Sequence, residues 1–277
     1  MRLLTLALMV LLSAPALAEE SPLKSLQTGD DSRGWEAVGR LNLGSKGFCT
    51  GALIAPDLVL TAGHCVLQPD GTPIPAERIS FRAGLADGMA IAESPVLRTV
   101  VDPAFEALDP APMDQLELDV ALLQLSKPIP TSVIAPFTVA SPGTGDEVSV
   151  VSYASGREDA LSWQRSCRAV DRQEALIAFD CDVTFGSSGA PVLDRSHYRA
   201  KIVSIISAGS SLDGMPIAIG MELPARVAAL KEDLRRGRVT SEAVAQPEAE
   251  AEAKPKVGNR ITVGGGTGDT GARFIKP

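Results

Sequence analysis

From Trp35 to Ser207 the chain is a series of short apolar or alternating runs separated by turn residues, and this punctuation limits the fold more than any other feature. The runs 37–43, 79–83, 120–125, 147–151 and 202–206 have strand length and are enriched in β-branched residues. Successive side chains of a strand point to opposite faces, so alternation marks a sheet with one buried face. Runs at this spacing predict a sandwich or a barrel. The Gly/Pro/Asp-rich stretches 68–75, 102–114 and 141–146 read as loops. Twenty-five Gly and twenty Pro suit short strands and turns better than a helical bundle. Aromatic residues are only 4% of the chain, so the core must be aliphatic. One segment reads clearly as helix. Pro224 opens it, Val227, Leu230 and Leu234 share a face, basic residues crowd its end and Gly237 stops it.

The termini have a different character. Residues 1–18 read as a signal peptide: Arg2 is a short positive start, and Ala16-Leu17-Ala18 fits a small-x-small cleavage site. The apolar run Leu3–Leu12 is too short to cross a hydrocarbon layer of ~30 Å at ~1.5 Å per residue. The mature protein is therefore expected to be exported, periplasmic or extracellular, with no membrane anchor after cleavage. Residues 19–33 read as a loose polar leader. Residues 239–277, Ala/Glu/Pro-rich and then Gly-rich, read as a disordered tail. Residues 34–238 are left as the folded domain.

The net charge of −8 argues against nucleic acid as a partner and against an electrostatic anchor on anionic lipid. Four cysteines in an exported chain suggest two disulfides. Three connectivities are open. The local one, Cys49–Cys65 with Cys167–Cys181, closes two loops of about 15 residues, each worth roughly 3 kcal/mol on chain-entropy grounds. A zinc site is the alternative, but no Cys-x-x-Cys pair exists and there are only two His. No metal or other cofactor is implied.

Three features carry chemistry. Thr61-Ala62-Gly63-His64-Cys65 follows the apolar run 58–60, so the imidazole sits at a strand end beside a bridgeable Cys. Gly186-Ser187-Ser188-Gly189-Ala190-Pro191 packs small residues round a Ser, which lets a substrate carbonyl approach the backbone and the N–H groups of Gly186 and Ser188. Asp119 enters the apolar strand 120–125, where a carboxylate is costly without a partner, and an imidazole N–H would supply one. Each alone has a structural reading: a surface His, a Gly/Ser turn, an exposed strand-end Asp. Together, in the order His64, Asp119, Ser188, they form a known arrangement of a nucleophile, a base and its orienting acid.

With Cys49-Thr50-Gly51-Ala52-Leu53-Ile54, Thr61 to Cys65, Asp119 to Leu123 and Gly186 to Pro191, residues 34–236 resemble the trypsin/chymotrypsin-like serine proteases. The resemblance implies an all-β fold of two six-stranded antiparallel β-barrels with a C-terminal α-helix, and an active site between the barrels. It implies a serine endopeptidase in which Ser188 is the nucleophile, His64 the base and Asp119 its orienting carboxylate. The Gly186 and Ser188 N–H groups would form the oxyanion hole, and Ser207, Ala208 and Gly209 a substrate-pairing edge with Ala208 in place of the usual Trp. Cys49–Cys65 matches the family bridge beside the catalytic His. Protein or peptide substrates and a monomer are expected.

The chain also departs from the family. Ser187 stands where an Asp usually precedes the nucleophile, and no Ile-Val-Gly-Gly start follows Arg33, so the zymogen switch based on a new N-terminal amine is not expected. The GSSGAP form looks like bacterial members, including glutamyl endopeptidase-like ones. Asp182, six residues before Ser188, falls where a pocket-floor Asp would pair with a substrate Lys or Arg. Its other reading is a hydrogen-bonded strand-end Asp. A Glu-directed pocket often has a His beside the substrate edge, where this chain has Ile206. The competing function is a catalytically silent homologue that binds proteins through the same cleft.

Overall fold

The computed structural model describes residues 23–108, 110–143, 147–212 and 214–244. The predicted signal peptide and residues 245–277 of the predicted tail lie outside them.

The first barrel is built from β2 (Val38–Leu43), β3 (Phe48–Ala55), β4 (Leu58–Thr61), β5 (Ile79–Ala83), β6 (Ala92–Val101) and β7 (Ala121–Leu125). An earlier short strand, β1 (Lys24–Leu26), belongs elsewhere. The barrel order is β6-β5-β2-β3-β4-β7, and β6 pairs with β7 to close the ring. Alternation sets the faces. Along β2, Gly39, Leu41 and Leu43 are buried on one face, while Arg40 and Asn42 on the other are half-buried. The interior is aliphatic round one aromatic: Leu41, Leu53, Leu60, Leu122 and Phe81 are fully buried. Each such side chain contributes about 1.5–3 kcal/mol relative to exposure. Gly39 makes room for Phe81, because a Cβ there would lie 2.3 Å from the ring.

After β7 come the two-residue β8 (Thr138–Val139) and the second barrel: β9 (Glu147–Ala154), β10 (Arg157–Gln173), β11 (Leu176–Phe179), β12 (Pro191–Asp194), β13 (Lys201–Ile205), β14 (Ala208–Leu212) and β15 (Met215–Met221). β13 and β14 are two halves of one bent strand. The first half pairs with β12 and the second with β15. At the bend the Ile206 N–H donates to Ala190 O and the Ser207 N–H to Ile219 O, both at 2.9 Å. That bend closes a six-membered circuit of β12, β9, β10, β11, β15 and the bent strand. Its core is Val148, Val150, Ile177, Phe179, Val192 and Val203, beside the Cys167–Cys181 bridge. The expected double barrel is thus present, as are both local disulfides.

The helix α2 (Pro224–Arg235) ends where expected, with Gly237 at φ 69°. A second helix, α1 (Met113–Leu118), lies at the end of the loop expected over 102–114. Two other expectations are corrected. The leader is not loose from residue 23 onward: β1 pairs antiparallel with β10, matching Leu26 to Leu161, and Leu26 is buried. The tail does not begin at 239, because β16 (Ser241–Glu242) pairs with β6. Its hydroxyls replace missing strand partners, with the Val101 N–H donating to Thr240 Oγ1 at 2.9 Å and the Ala76 N–H to Ser241 Oγ at 3.1 Å.

Candidate active site

The two barrels meet through Thr50. Its N–H donates to Ser188 O and its hydroxyl to Gly186 O, both at 2.9 Å, while the same hydroxyl accepts from the Tyr153 N–H at 3.0 Å. One buried first-barrel side chain therefore ties down the Gly186–Ser188 loop of the second.

His64 sits on a single 3-10 turn, Gly63–Val66, which follows β4 directly. The Cys49–Cys65 bridge fastens this turn to β3. A Cβ on Gly63 would fit only tightly, 3.0 Å from the Phe105 ring and 3.1 Å from Asp119 Oδ1. Asp119, only 2% exposed, grips His64 with both oxygens: the backbone N–H donates to Oδ1 at 2.7 Å, and Nδ1 lies 2.8 Å from Oδ2. Ser207 Oγ donates to the same Oδ2 at 2.5 Å. A buried carboxylate is tolerable only with such partners. An ionised Asp119 accepting from Nδ1–H leaves the lone pair on Nε2, facing away from the acid. The imidazole remains about one-third exposed.

Lys46, just before β3, was not anticipated. Its Nζ donates to His64 O and Leu67 O at 2.5 Å each, so it clamps both sides of the His64 turn. Burial pushes its pKa below the usual lysine range, against the opposing pull of the Asp119 charge. A lone Lys in a polar hairpin carries no local signal of this role, because its partners are backbone carbonyls some twenty residues away.

Ser188 lies between two glycines with positive φ, Gly186 at 93° and Gly189 at 76°. At Gly186 a Cβ would meet the Phe48 ring at 2.3 Å, and at Gly189 it would meet Thr61 Oγ1 at 2.1 Å. Both positions thus need glycine for conformation and for space. The Gly186 and Ser188 N–H groups donate to no backbone acceptor among the described residues. Ser187 is buried and its hydroxyl reaches Ser152 Oγ at 3.3 Å, so a neutral contact occupies the place of the family's Asp. No hydrogen bond joins the Ser188 hydroxyl to the imidazole, whose ring instead contacts Asp119 and, at 3.9 Å from Nε2, Cys65 Sγ.

Ser207 is buried, Ala208 half-buried and Gly209 exposed, and β14 pairs with β15 alone. Its outer edge is open for an added strand. Asp182 differs from its pocket-floor expectation: it is exposed, and its N–H donates to Gln164 Oε1 at 2.7 Å. Cys49, His64 and Cys65 cluster within metal-ligand distances, but the two sulfurs are bonded to each other and offer no thiolate.

Three comparisons bear on this arrangement. A solved structure of a Glu endopeptidase superposes with a TM-score of 0.63 at 19% identity, covering 80% of this chain and 98% of that one, which shows a shared fold. A trypsin-like protease of Streptomyces glaucescens is 32% identical over 185 residues, 58% of this chain; the chain spans 65% of that relative's length. Residues 49–199 match the family model of the trypsin-like peptidase domain. The chain therefore belongs to the trypsin-like peptidase family.

Proposed function

We propose that the protein is an exported serine endopeptidase acting through an acyl-enzyme intermediate, with residues 34–238 as its peptidase domain. The observation that supports this most is the buried Asp119 carboxylate, held by Ser207 and gripping His64 at two points, in a chain whose Ser188 is bracketed by two obligatory glycines. In this reading His64 Nε2 takes the Ser188 proton as Oγ attacks the substrate carbonyl. The carbonyl oxygen becomes an oxyanion against the Gly186 and Ser188 N–H groups, each such donor typically worth roughly 3–4 kcal/mol. His64 then protonates the leaving amine. Water, activated by the same imidazole, releases the acyl group. The substrate's acyl side lies along the open edge of Ala208 and Gly209.

The silent-homologue reading has one observation in its favour, the absent Ser188–His64 hydrogen bond. Such contacts are often long without substrate and tighten only in the complex. All groups that the chemistry needs are present, so the peptidase reading stands ahead. It predicts that Ser188→Ala or His64→Ala removes most hydrolysis of a protein substrate, leaving only what the oxyanion hole and binding supply. Near-wild-type turnover by pure Ser188→Ala protein would contradict it.

A further inference from the structure

Arg40 on β2 is matched directly to Thr50 on β3 and to Arg82 on β5. Directly opposed residues share a sheet face. Thr50 uses that face to bind Gly186 and Tyr153 of the second barrel, so Arg40 is turned toward the same seam. It lies one strand spacing, about 4.8 Å, from a residue bonded to the oxyanion loop. Its guanidinium carbon sits 4.6 Å from the centre of the Phe48 ring. That ring is the one a Cβ on Gly186 would strike. A short row of contacts thus runs from Gly186 through Phe48 to Arg40.

The cation is incompletely paired. Its Nη1 donates to Asn42 Oδ1, while its Nε is buried with no hydrogen-bond partner. Among the described residues no carboxylate forms an ion pair with it. Glu158, which feels its field, hydrogen-bonds the Gly156 N–H at 2.9 Å instead. Arg82 is already engaged by Glu93 at 3.2 Å and by Gly88 O at 2.7 Å. Two like charges facing each other across a sheet are unfavourable, and a buried unpaired donor adds a desolvation cost. An incoming carboxylate would relieve the repulsion.

Position says which part of a substrate would bring it. The acyl side follows the outer edge of β14, and the scissile carbonyl faces the Gly186 and Ser188 amides. In the peptidase reading the leaving side runs away from β14, and the Phe48 ring packed against Gly186 is the surface it meets. At about 3.3 Å per residue, an extended chain comes level with the Arg40 guanidinium two or three residues beyond the scissile bond. We propose that Arg40 is a specificity residue that recognises an Asp or Glu side chain at the second or third position on the leaving-group side, with the field of Arg82 adding to the attraction. The inference rests on the peptidase reading above. A planar guanidinium suits it, since the fork can meet a carboxylate while its face stays on Phe48.

The test uses internally quenched peptides built on a sequence that the enzyme is first shown to cleave in a mixed peptide library. They differ only in carrying Glu, Gln or Lys at the second or third leaving-side position. Wild-type protein should favour Glu over Gln by about tenfold in kcat/KM at one of these positions, as a charge-assisted contact would give, with Lys poorer still. The Glu:Gln ratio should fall to near one in Arg40→Gln, survive in part in Arg40→Lys and give way to a Lys preference in Arg40→Glu. Added salt should compress it. A flat ratio at both positions in wild-type protein overturns the inference whether or not the variants fold. So does a ratio unchanged in Arg40→Gln, which would leave Arg40 as a brace between Phe48 and Asn42. If no peptide is cleaved and a fluorophosphonate fails to label Ser188, the peptidase reading itself fails and takes the inference with it. Cleavage of the Gln peptide with a flat ratio sinks the inference alone.

Discussion

Lys46 illustrates how much of this site depends on single atoms far from the reacting groups. Its ammonium holds the carbonyls of His64 and Leu67 together. Lys46→Met removes the clamp while keeping most of the apolar stem. We expect a loss of about 1 kcal/mol in stability, from the two lost hydrogen bonds, and a fall in kcat larger than any rise in KM. Urea denaturation and steady-state kinetics on one peptide check both, and wild-type values in both would remove Lys46 from the account. Asp119→Asn should be far more severe. An amide can present the wrong partner to Nδ1 and favour the unreactive tautomer, so kcat should drop on the order of 10⁴-fold while the fold persists. A modest drop would mean that Asp119 does not orient the base. At this scale the sequence was legible where function is local. His64 and Ser188 sit in short strings of distinctive small residues. Thr50, Lys46 and Arg40 were not legible, because each acts on backbone or rings brought near only by closure of the barrels.

Among elements, the period-two runs at 79–83, 120–125 and 202–206 matched β5, β7 and β13 within a residue or so, since a half-buried strand must alternate or, when covered on both faces, run apolar. β1 and β16 escaped notice. They are three and two residues long, largely polar, and held by strands already formed rather than by their own pattern. β16 makes a checkable claim. It carries the Thr240 and Ser241 hydroxyl bonds and the Arg98–Glu242 ion pair at 2.7 Å. The ion pair is largely exposed and contributes little, so most of the effect comes from the buried N–H partners. Truncation after Arg238 should therefore lower Tm by several degrees relative to truncation after Val244, as about 1–3 kcal/mol would. Equal melting of the two truncated proteins would show that the strap is idle.

At the scale of the whole molecule, the proposed mechanism needs the barrels held in one relation, so that a carboxylate and an imidazole from the first can act on a serine from the second. Tyr153 is central to that relation. It is fully buried on β9, and its hydroxyl donates across the seam to Leu85 O at 3.0 Å. Burial pushes its phenol well above the ordinary range, with the Leu85 contact and the fields of Arg82 and Arg40 pulling the other way. The folded state keeps a proton that the unfolded phenol releases above about pH 10. This contribution is complete below that pH and is lost as pH climbs toward the folded value. Lys46 has the opposite sense, since its folded pKa is depressed and its cost is relieved as pH rises. Comparison with Tyr153→Phe isolates the tyrosine. The variant should be less stable near neutrality by roughly 1–3 kcal/mol, and its stability should decline less between pH 9 and 11. Parallel decline of both proteins would assign alkaline unfolding elsewhere. The architecture was legible through a resemblance carried by four short segments. The closure of the second barrel at Ile206–Ser207 was not, because a bend within one apolar run leaves its periodicity intact.

The proposed chemistry requires a serine made nucleophilic by its surroundings. Incubation of the purified protein with a fluorophosphonate, followed by digestion and mass spectrometry, tests this directly. One covalent adduct is expected, on Ser188, formed quickly by the wild-type protein and nearly abolished in His64→Ala. A folded wild-type protein that takes no label, or that carries it on another residue, would contradict the account.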